Sequence, residues 1–364
     1  MKILLSLSLI VCINFSYGQQ LDETNTVFID KAFAKQIKEA TDSITVMMSK
    51  KMIPGLSVCV SSKGKIIWAQ GFGYSDVENK TPVKINTKFR VGSVSKTITA
   101  VGLAKLADEN RVNLDSPVTR YVSYWPYKKY PITLRQIGGH VAGIRHYRGK
   151  EFLSAVHYNS VKESLDIFKD DSLNFEPGTQ YSYSSYGYNL LSAAMETASG
   201  ESFLQFLQHA VFDPLNMHNT TADYNDSIVL NRTHFYDVKK NTVVNATYVD
   251  NSNKWAGGGI LSTPYDLIKL GNALLREKFL SEKSRAALWT PYQLSTGKPN
   301  VYGIGFRNET DEAGRTYISH GGTSMGGRTY FIIYPKEEIV MAITYNYLPG
   351  IYDELPIANI FVKK

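Results

Sequence analysis

The chain has 364 residues, 43% hydrophobic and 20% charged, with 40 lysines and arginines against 33 aspartates and glutamates for a formal net charge of +7. That balance excludes a disordered chain and a membrane-embedded one, and the length allows a large core. The basic pairs Lys50-Lys51, Lys128-Lys129, Lys239-Lys240 and Lys363-Lys364 are scattered rather than striped, so the charge points to a solvated surface and to no nucleic-acid partner.

Read from the N-terminus, Lys2, the apolar run Ile3 to Phe15 and the small-residue ending Ser16-Tyr17-Gly18 predict a signal peptide over residues 1–18. The run is too short to span a bilayer, which takes about 20 apolar residues. The expectation is an exported protein, periplasmic or secreted, with no transmembrane segment after cleavage and one domain over 19–364. Removal of the leader takes Cys12 with it and leaves Cys59 alone, so no internal disulfide is expected. Its strand-like setting, Leu56 to Val60, marks it as a small buried hydrophobe.

Apolar spacing predicts a helix over Val27 to Met48, ended by Pro54-Gly55. Strands follow at Leu56 to Ser61 and Ile66 to Tyr74, joined by a Ser62-Lys63-Gly64-Lys65 hairpin turn. Thr97 to Asn110 is apolar over more than one helical face and reads as a buried helix. From about 112 to 254 the chain reads as a mainly helical and irregular lobe, with helices at Tyr188 to Ser199 and Glu201 to Phe212. Strands return at Gly303 to Arg307, Arg315 to Ser319, Arg328 to Tyr334 and Ile339 to Tyr345. The order implies an α/β (α+β) fold: an antiparallel sheet formed by both chain ends with flanking helices, plus an inserted helical lobe. The cleft between sheet and lobe is where a site is expected.

Three serine motifs compete for a nucleophile. Ser-x-x-Lys puts both side chains on one helix face, so an amine can reach a hydroxyl that is a poor nucleophile unaided. The pattern occurs as Ser62/Lys65, in the hairpin turn, and as Ser93/Lys96, at the start of the buried helix. For the second pair two readings stand: a catalytic pair with a desolvated lysine at a positive helix end, or an N-capping serine with its lysine turned to solvent. Gly322-Thr323-Ser324-Met325-Gly326 matches Gly-x-Ser-x-Gly, but all seven histidines precede it and a strand follows, which does not suit a nucleophile elbow. No His-Glu-x-x-His or paired-cysteine pattern occurs, so neither a metal nor another cofactor is expected.

Phe89-Arg90-Val91-Gly92-Ser93-Val94-Ser95-Lys96-Thr97 resembles the nucleophile segment of class C β-lactamases and related penicillin-binding proteins. The likeness continues through Ile132-Thr133-Leu134-Arg135-Gln136 with His140, Pro177-Gly178, Tyr183-Ser184-Ser185, Phe212-Asp213-Pro214-Leu215, Gly257-Gly258-Gly259 and His320-Gly321-Gly322. Ile144-Arg145-His146-Tyr147 and Tyr183-Ser184-Ser185 look more like the LACTB-type serine peptidase-like branch than like true β-lactamases. The resemblance implies a β-lactamase/transpeptidase-like fold and an acyl-enzyme on Ser93, with Lys96 as general base and Tyr183 as proton relay. It implies a substrate strand at His320, Gly321, Gly322 and Thr323, with Ser185 where most relatives carry asparagine and His320 where they carry lysine. His140 reads as structural support. The aromatics Tyr121, Tyr124, Trp125, Tyr127 and Tyr130 read as packing rather than as a substrate rim.

The implied function is a serine hydrolase acting on a small-molecule or peptide substrate: a D-amino-acid peptidase, an esterase or a weak β-lactamase. A non-catalytic binding or sensor protein of the same fold is the competing class. Serine and neutral histidine at positions 185 and 320 imply weak hold on a β-lactam carboxylate.

Overall fold

In the strands of this protein successive side chains enter two different cores, and that alternation sets the layers. The computed structural model describes residues 21–348, 350 and 353–362, so the expected signal peptide over 1–18 lies outside the described residues. One sheet is built from β1 (Val27–Ile29), β2 (Gly55–Ser62), β3 (Lys65–Asp76), the short β4 (Thr81–Pro82), β5 (Arg307–Thr310), β6 (Thr316–Ser324), β7 (Gly327–Tyr334) and β8 (Ile339–Tyr345). Its order is β1-β3-β2-β8-β7-β6-β5, with β4 beside β3, and every pairing is antiparallel. The two ends of the chain meet where β8 pairs β2, Ala342 opposite Cys59.

Along β8, Ile339, Met341, Ile343 and Tyr345 join a core with Ile37, Ala40, Ile44 and Met47 of helix α1 (Ala34–Lys51). Val340 and Ala342 point the other way, into a second and larger core. That core holds helix α2 (Ser95–Asp108), helix α3 (Ser185–Ser199) of the lobe and helix α4 (Pro264–Leu274), which covers the sheet. Helix α5 (Leu355–Val362) packs beside α1 on the first face. A slip of one residue would exchange the two sets between cores shaped for different side chains, at a packing cost of about 1–3 kcal/mol for each misfitted residue, so the register is firmly specified.

Two expected elements are shifted. Val27–Ile29 is an edge strand rather than the start of a helix, with Val27 opposite Gln70 and Ile29 opposite Trp68. Asp30 stops it in extended geometry and its carboxylate accepts the Ala32 N–H at 2.9 Å, starting a short turn that leads into α1. Gly303 to Phe306 is a tight turn rather than a strand, with Gly305 at φ 76° and the Gly303 N–H donating to the Phe306 carbonyl, and β5 begins only at Arg307. Inside the lobe the structure adds what was read as helical or irregular: a hairpin, Tyr236–Lys239 with Thr242–Asn245. It also adds Thr221–Ala222, which pairs Ile260–Ser262, itself paired to Phe89–Arg90 just before Ser93. The lobe is thereby stitched to the start of α2.

Helix α2 is the central rod. Every residue from Ser95 to Ala104 is buried, as its all-round apolar pattern requires. Helix α3 is fixed by a Ser184 side chain that accepts the Gly187 N–H at 3.1 Å and by Gly200 at φ 70° at its end. Among the described residues no helix is long and apolar enough to cross a membrane.

Candidate active site

Ser93 sits in a single tight turn, Gly92–Val94, immediately ahead of α2. Strand β6 runs past this turn at backbone contact, and two glycines make the approach sterically allowed. A Cβ on Gly92, which has φ 52°, would lie 2.5 Å from the Thr323 nitrogen. A Cβ on Gly322 would lie 1.9 Å from the Val91 oxygen. The edge partner of β6 ends at the Arg307–Ser319 pairing, so residues 320–324 have no further strand on that side and lie against the Ser93 turn instead.

Lys96 is fully buried on the first turn of α2, which removes the reading of a lysine turned to solvent. Its Nζ lies 3.2 Å from Ser93 Oγ and 3.1 Å from Ser185 Oγ, and it donates to the Gly257 carbonyl. No carboxylate lies within ion-pair distance of it among the described residues, and burial holds its pKa well below the ordinary lysine value. A neutral amine has two N–H bonds and one lone pair. With the N–H bonds given to Gly257 and Ser185, the lone pair faces the Ser93 hydroxyl.

Tyr183 completes the group from just ahead of α3. Its half-buried phenol is hydrogen-bonded to Ser93, its ring centroid is 4.8 Å from Lys96 Nζ, and burial raises its pKa, keeping it protonated. Ser185 is buried on the first turn of α3, bonded to Lys96 and to the Tyr147 hydroxyl, and its backbone N–H donates to His146 Nδ1 at 3.2 Å. The loop bearing His146 and Tyr147 is anchored by Arg145, which pairs with Glu151 and Asp171 while its carbonyl accepts Ser184 Oγ at 2.7 Å.

The four predicted β6 residues divide by strand alternation. Gly321 and Thr323 face the cavity; His320 and Gly322 face inward. His320 therefore differs from the substrate contact expected of it. It is buried, donating from Nδ1 to the Gly321 carbonyl at 2.6 Å and accepting the Tyr302 hydroxyl on Nε2 at 2.7 Å. Burial and the neighbouring Lys96 draw its pKa down to about 3, so it is neutral at pH 7. His140 is buried, accepts the Ser184 N–H on Nδ1 at 3.2 Å and packs against the Tyr183 ring with centroids 4.2 Å apart and planes tilted by 43°, a supporting position.

The decoys separate as well. Ser62 and exposed Lys65 close the β2–β3 hairpin. Ser324 ends β6 before a turn into β7, without the helix a nucleophile elbow needs, although it does border the Ser93 cavity. Tyr121 and Trp125 are core, while Tyr127 and Tyr130 border a different cavity. Cys59 is a free, buried thiol whose pKa burial raises.

The cavity has a volume of about 330 Å³ and is bordered by Ser93, Tyr183, Ser185, Gly321 and Thr323, and also by Tyr147 and Lys254. The last two were missed as site residues. Tyr147 carries a signal in its neighbourhood to Ser185's counterpart motif, Ile144 to Tyr147; Lys254 carries only its place three residues before Gly257-Gly258-Gly259. Among the described residues no group of three or more His, Cys, Asp or Glu side chains is placed to hold a metal ion.

The beta-lactamase family model matches residues 33–359. The human mitochondrial serine beta-lactamase-like protein LACTB is 32% identical over 403 aligned positions, covering 84% of this chain and 73% of that protein. Among solved structures, EstCE1, a hydrolase with promiscuous acyltransferase activity, superposes with a TM-score of 0.78 at 20% identity, covering 92% of this chain and 99% of that one. The D-amino acid amidase of Ochrobactrum anthropi SV3 complexed with D-phenylalanine does so with a TM-score of 0.75 at 20% identity, covering 87% and 92%. A family match over residues 33–359, together with a relative 32% identical over 84% of the chain, makes this chain a member of the beta-lactamase family.

Proposed function

We propose that the protein hydrolyses a peptide, amide or ester through an acyl-enzyme on Ser93. The observation that carries this reading is the buried Lys96 amine, held 3.2 Å from Ser93 Oγ with no carboxylate beside it among the described residues. The amine takes the hydroxyl proton as Oγ attacks the substrate carbonyl. The Ser93 and Thr323 backbone N–H groups receive the developing oxyanion; the contact of β6 with the Ser93 turn supports that role. Tyr183, bonded to Ser93, relays the proton to the leaving group, whose departure leaves the Ser93 ester. Water, deprotonated by the same amine, then attacks the ester and frees the acid.

Neutral His320 supplies no fixed charge at the substrate strand, which favours amide or ester substrates over β-lactams, in keeping with the amidase and hydrolase among the structural neighbours. We further propose export directed by residues 1–18 and a single domain over 19–364. The test is stopped-flow release of p-nitrophenol from p-nitrophenyl esters. A burst equal to the enzyme concentration, absent in Ser93→Ala, supports the acyl-enzyme; turnover by Ser93→Ala that matches wild type overturns it.

A further inference from the structure

Lys254 borders the same cavity as Ser93 yet is 96% withdrawn from solvent, with a relative exposure of only 4%. Its stem lies by the rings of Tyr147 and Phe152, with Nζ 5.8 and 5.1 Å from their centroids. Of its three donors, one is engaged, by the Phe152 carbonyl at 2.9 Å. Among the described residues no carboxylate lies within ion-pair distance of it. The acids whose fields reach it are committed elsewhere: Asp223 to Arg90, Arg232 and Asn251, and Asp250 to His157 and the Ser252 N–H. The other buried cations nearby are satisfied, Arg90 by Asp223 and Lys88 by Asn219 and the Leu230 carbonyl, while burial favours the neutral amine at Lys96.

An ammonium taken from water with two donors unspent is costly unless an anion meets it. We infer that Lys254 anchors a carboxylate on the acyl part of the substrate, so that the cleft selects esters, amides or peptides whose acyl group is anionic. A cavity of about 330 Å³ accommodates the acyl group held on Ser93 through both chemical steps rather than a whole polypeptide. A monoanionic carboxylate balances the single cation, whereas a phosphate dianion would leave net negative charge in a buried site. Burial and the Arg90 charge draw the lysine pKa down to about 8, with Asp250 and Asp223 opposing, so the anchor is mainly protonated at pH 7. The charge that the substrate strand lacks at His320 thus enters from the loop before Gly257.

This inference rests on the Ser93 hydrolase reading, and the experiment separates the two. Wild-type protein and the variants Lys254→Met, Lys254→Gln and Lys254→Arg are assayed on p-nitrophenyl hemiglutarate and p-nitrophenyl valerate, esters of equal acyl length that differ by one charge, with uncatalysed hydrolysis subtracted. A charge-assisted contact predicts a wild-type preference in kcat/KM of roughly 10–100-fold for the hemiglutarate. Lys254→Met and Lys254→Gln reduce that ratio towards one, mainly through KM, and Lys254→Arg keeps part of it. Equal wild-type rates on both esters, or a ratio unchanged in folded Lys254→Met or Lys254→Gln, overturn the inference. Equilibrium dialysis of the two esters against Ser93→Ala protein keeps the outcomes distinct. If Ser93→Ala still hydrolyses, the nucleophile assignment falls while the Lys254-dependent ratio stands or falls by itself.

Discussion

Replacing Lys96 by methionine separates chemistry from stability, because the same side chain is asked to serve opposite ends. In the folded protein Lys96 is fully buried, without an acid partner among the described residues, and its pKa is held well below the ordinary value. Methionine of similar length removes the amine bonds to Ser93, Ser185 and Gly257, each worth about 1 kcal/mol net. It returns about 1.5–3 kcal/mol by burying an apolar side chain in the same space. The two nearly cancel, so Lys96→Met should melt within a few degrees of wild type. Loss of general-base assistance should nonetheless lower kcat/KM by about 10²–10⁴-fold, or roughly 3–5 kcal/mol in the barrier. The pH dependence follows with a definite sign. Lys96 is protonated in the unfolded chain up to its ordinary pKa but neutral in the folded protein above its depressed one, so between those values the unfolded state binds more protons and wild-type stability rises with pH. Activity rises through the lower of the two, as the base becomes neutral; Lys96→Met should lose that activity rise and the Lys96 share of the stability slope, leaving the smaller rise that neutral His320 and Lys254 contribute. Thermal unfolding from pH 5 to 9 beside ester kinetics provides the assay. A variant that keeps wild-type turnover, or one inactive only because it has unfolded, would refute this reasoning.

Gly92→Ala forces a Cβ to within 2.5 Å of the Thr323 nitrogen at a φ of 52°, so β6 must withdraw from the Ser93 turn; acylation should drop at least tenfold with a stability loss of about 1–3 kcal/mol, measured by probe labelling and denaturant melts. His320→Lys places an amine beside Lys96 in a buried slot now filled by the Tyr302 bond, so, alone or with Ser185→Asn, it should destabilise the protein instead of improving penicillin acylation; a folded double variant acylated faster than wild type would contradict this. Export is checked by N-terminal sequencing of the mature protein, which should begin near Gln19; envelope-fraction protein beginning at Met1 would count against it.

Much of the arrangement was legible because local chemistry and global fold agree. The all-round apolar pattern of α2, the hairpin at Ser62 to Lys65 and the alternating strands from Arg328 onward each specify one conformation, and the return of strands late in the chain implied a sheet closed by both ends. Val27–Ile29 misled because three apolar residues at a sheet edge fit helical spacing equally well; only pairing with Trp68 to Gln70 decides. The hairpin at Tyr236 to Asn245 is too short for periodicity to register. At the site, Ser93, Lys96 and Tyr183 could be named from spacing and resemblance, but the side of β6 on which each residue lies could not. Alternation turned His320 inward, where Tyr302, distant in sequence logic though only 18 positions away, takes its second nitrogen. Lys254 was invisible for a different reason: a lysine in sequence reads as solvated surface, and its burial is a property of Tyr147, Phe152 and the lobe packed around it.

The assignment of Ser93 as the acylated residue is tested most directly by peptide-resolved mass spectrometry of the intact protein after reaction with a fluorophosphonate probe. The expected result is one adduct per chain, on the peptide containing Ser93, lost in Ser93→Ala and kept in Ser62→Ala and Ser324→Ala. An adduct on Ser324, which borders the same cavity, or persistence of labelling in Ser93→Ala would contradict the account.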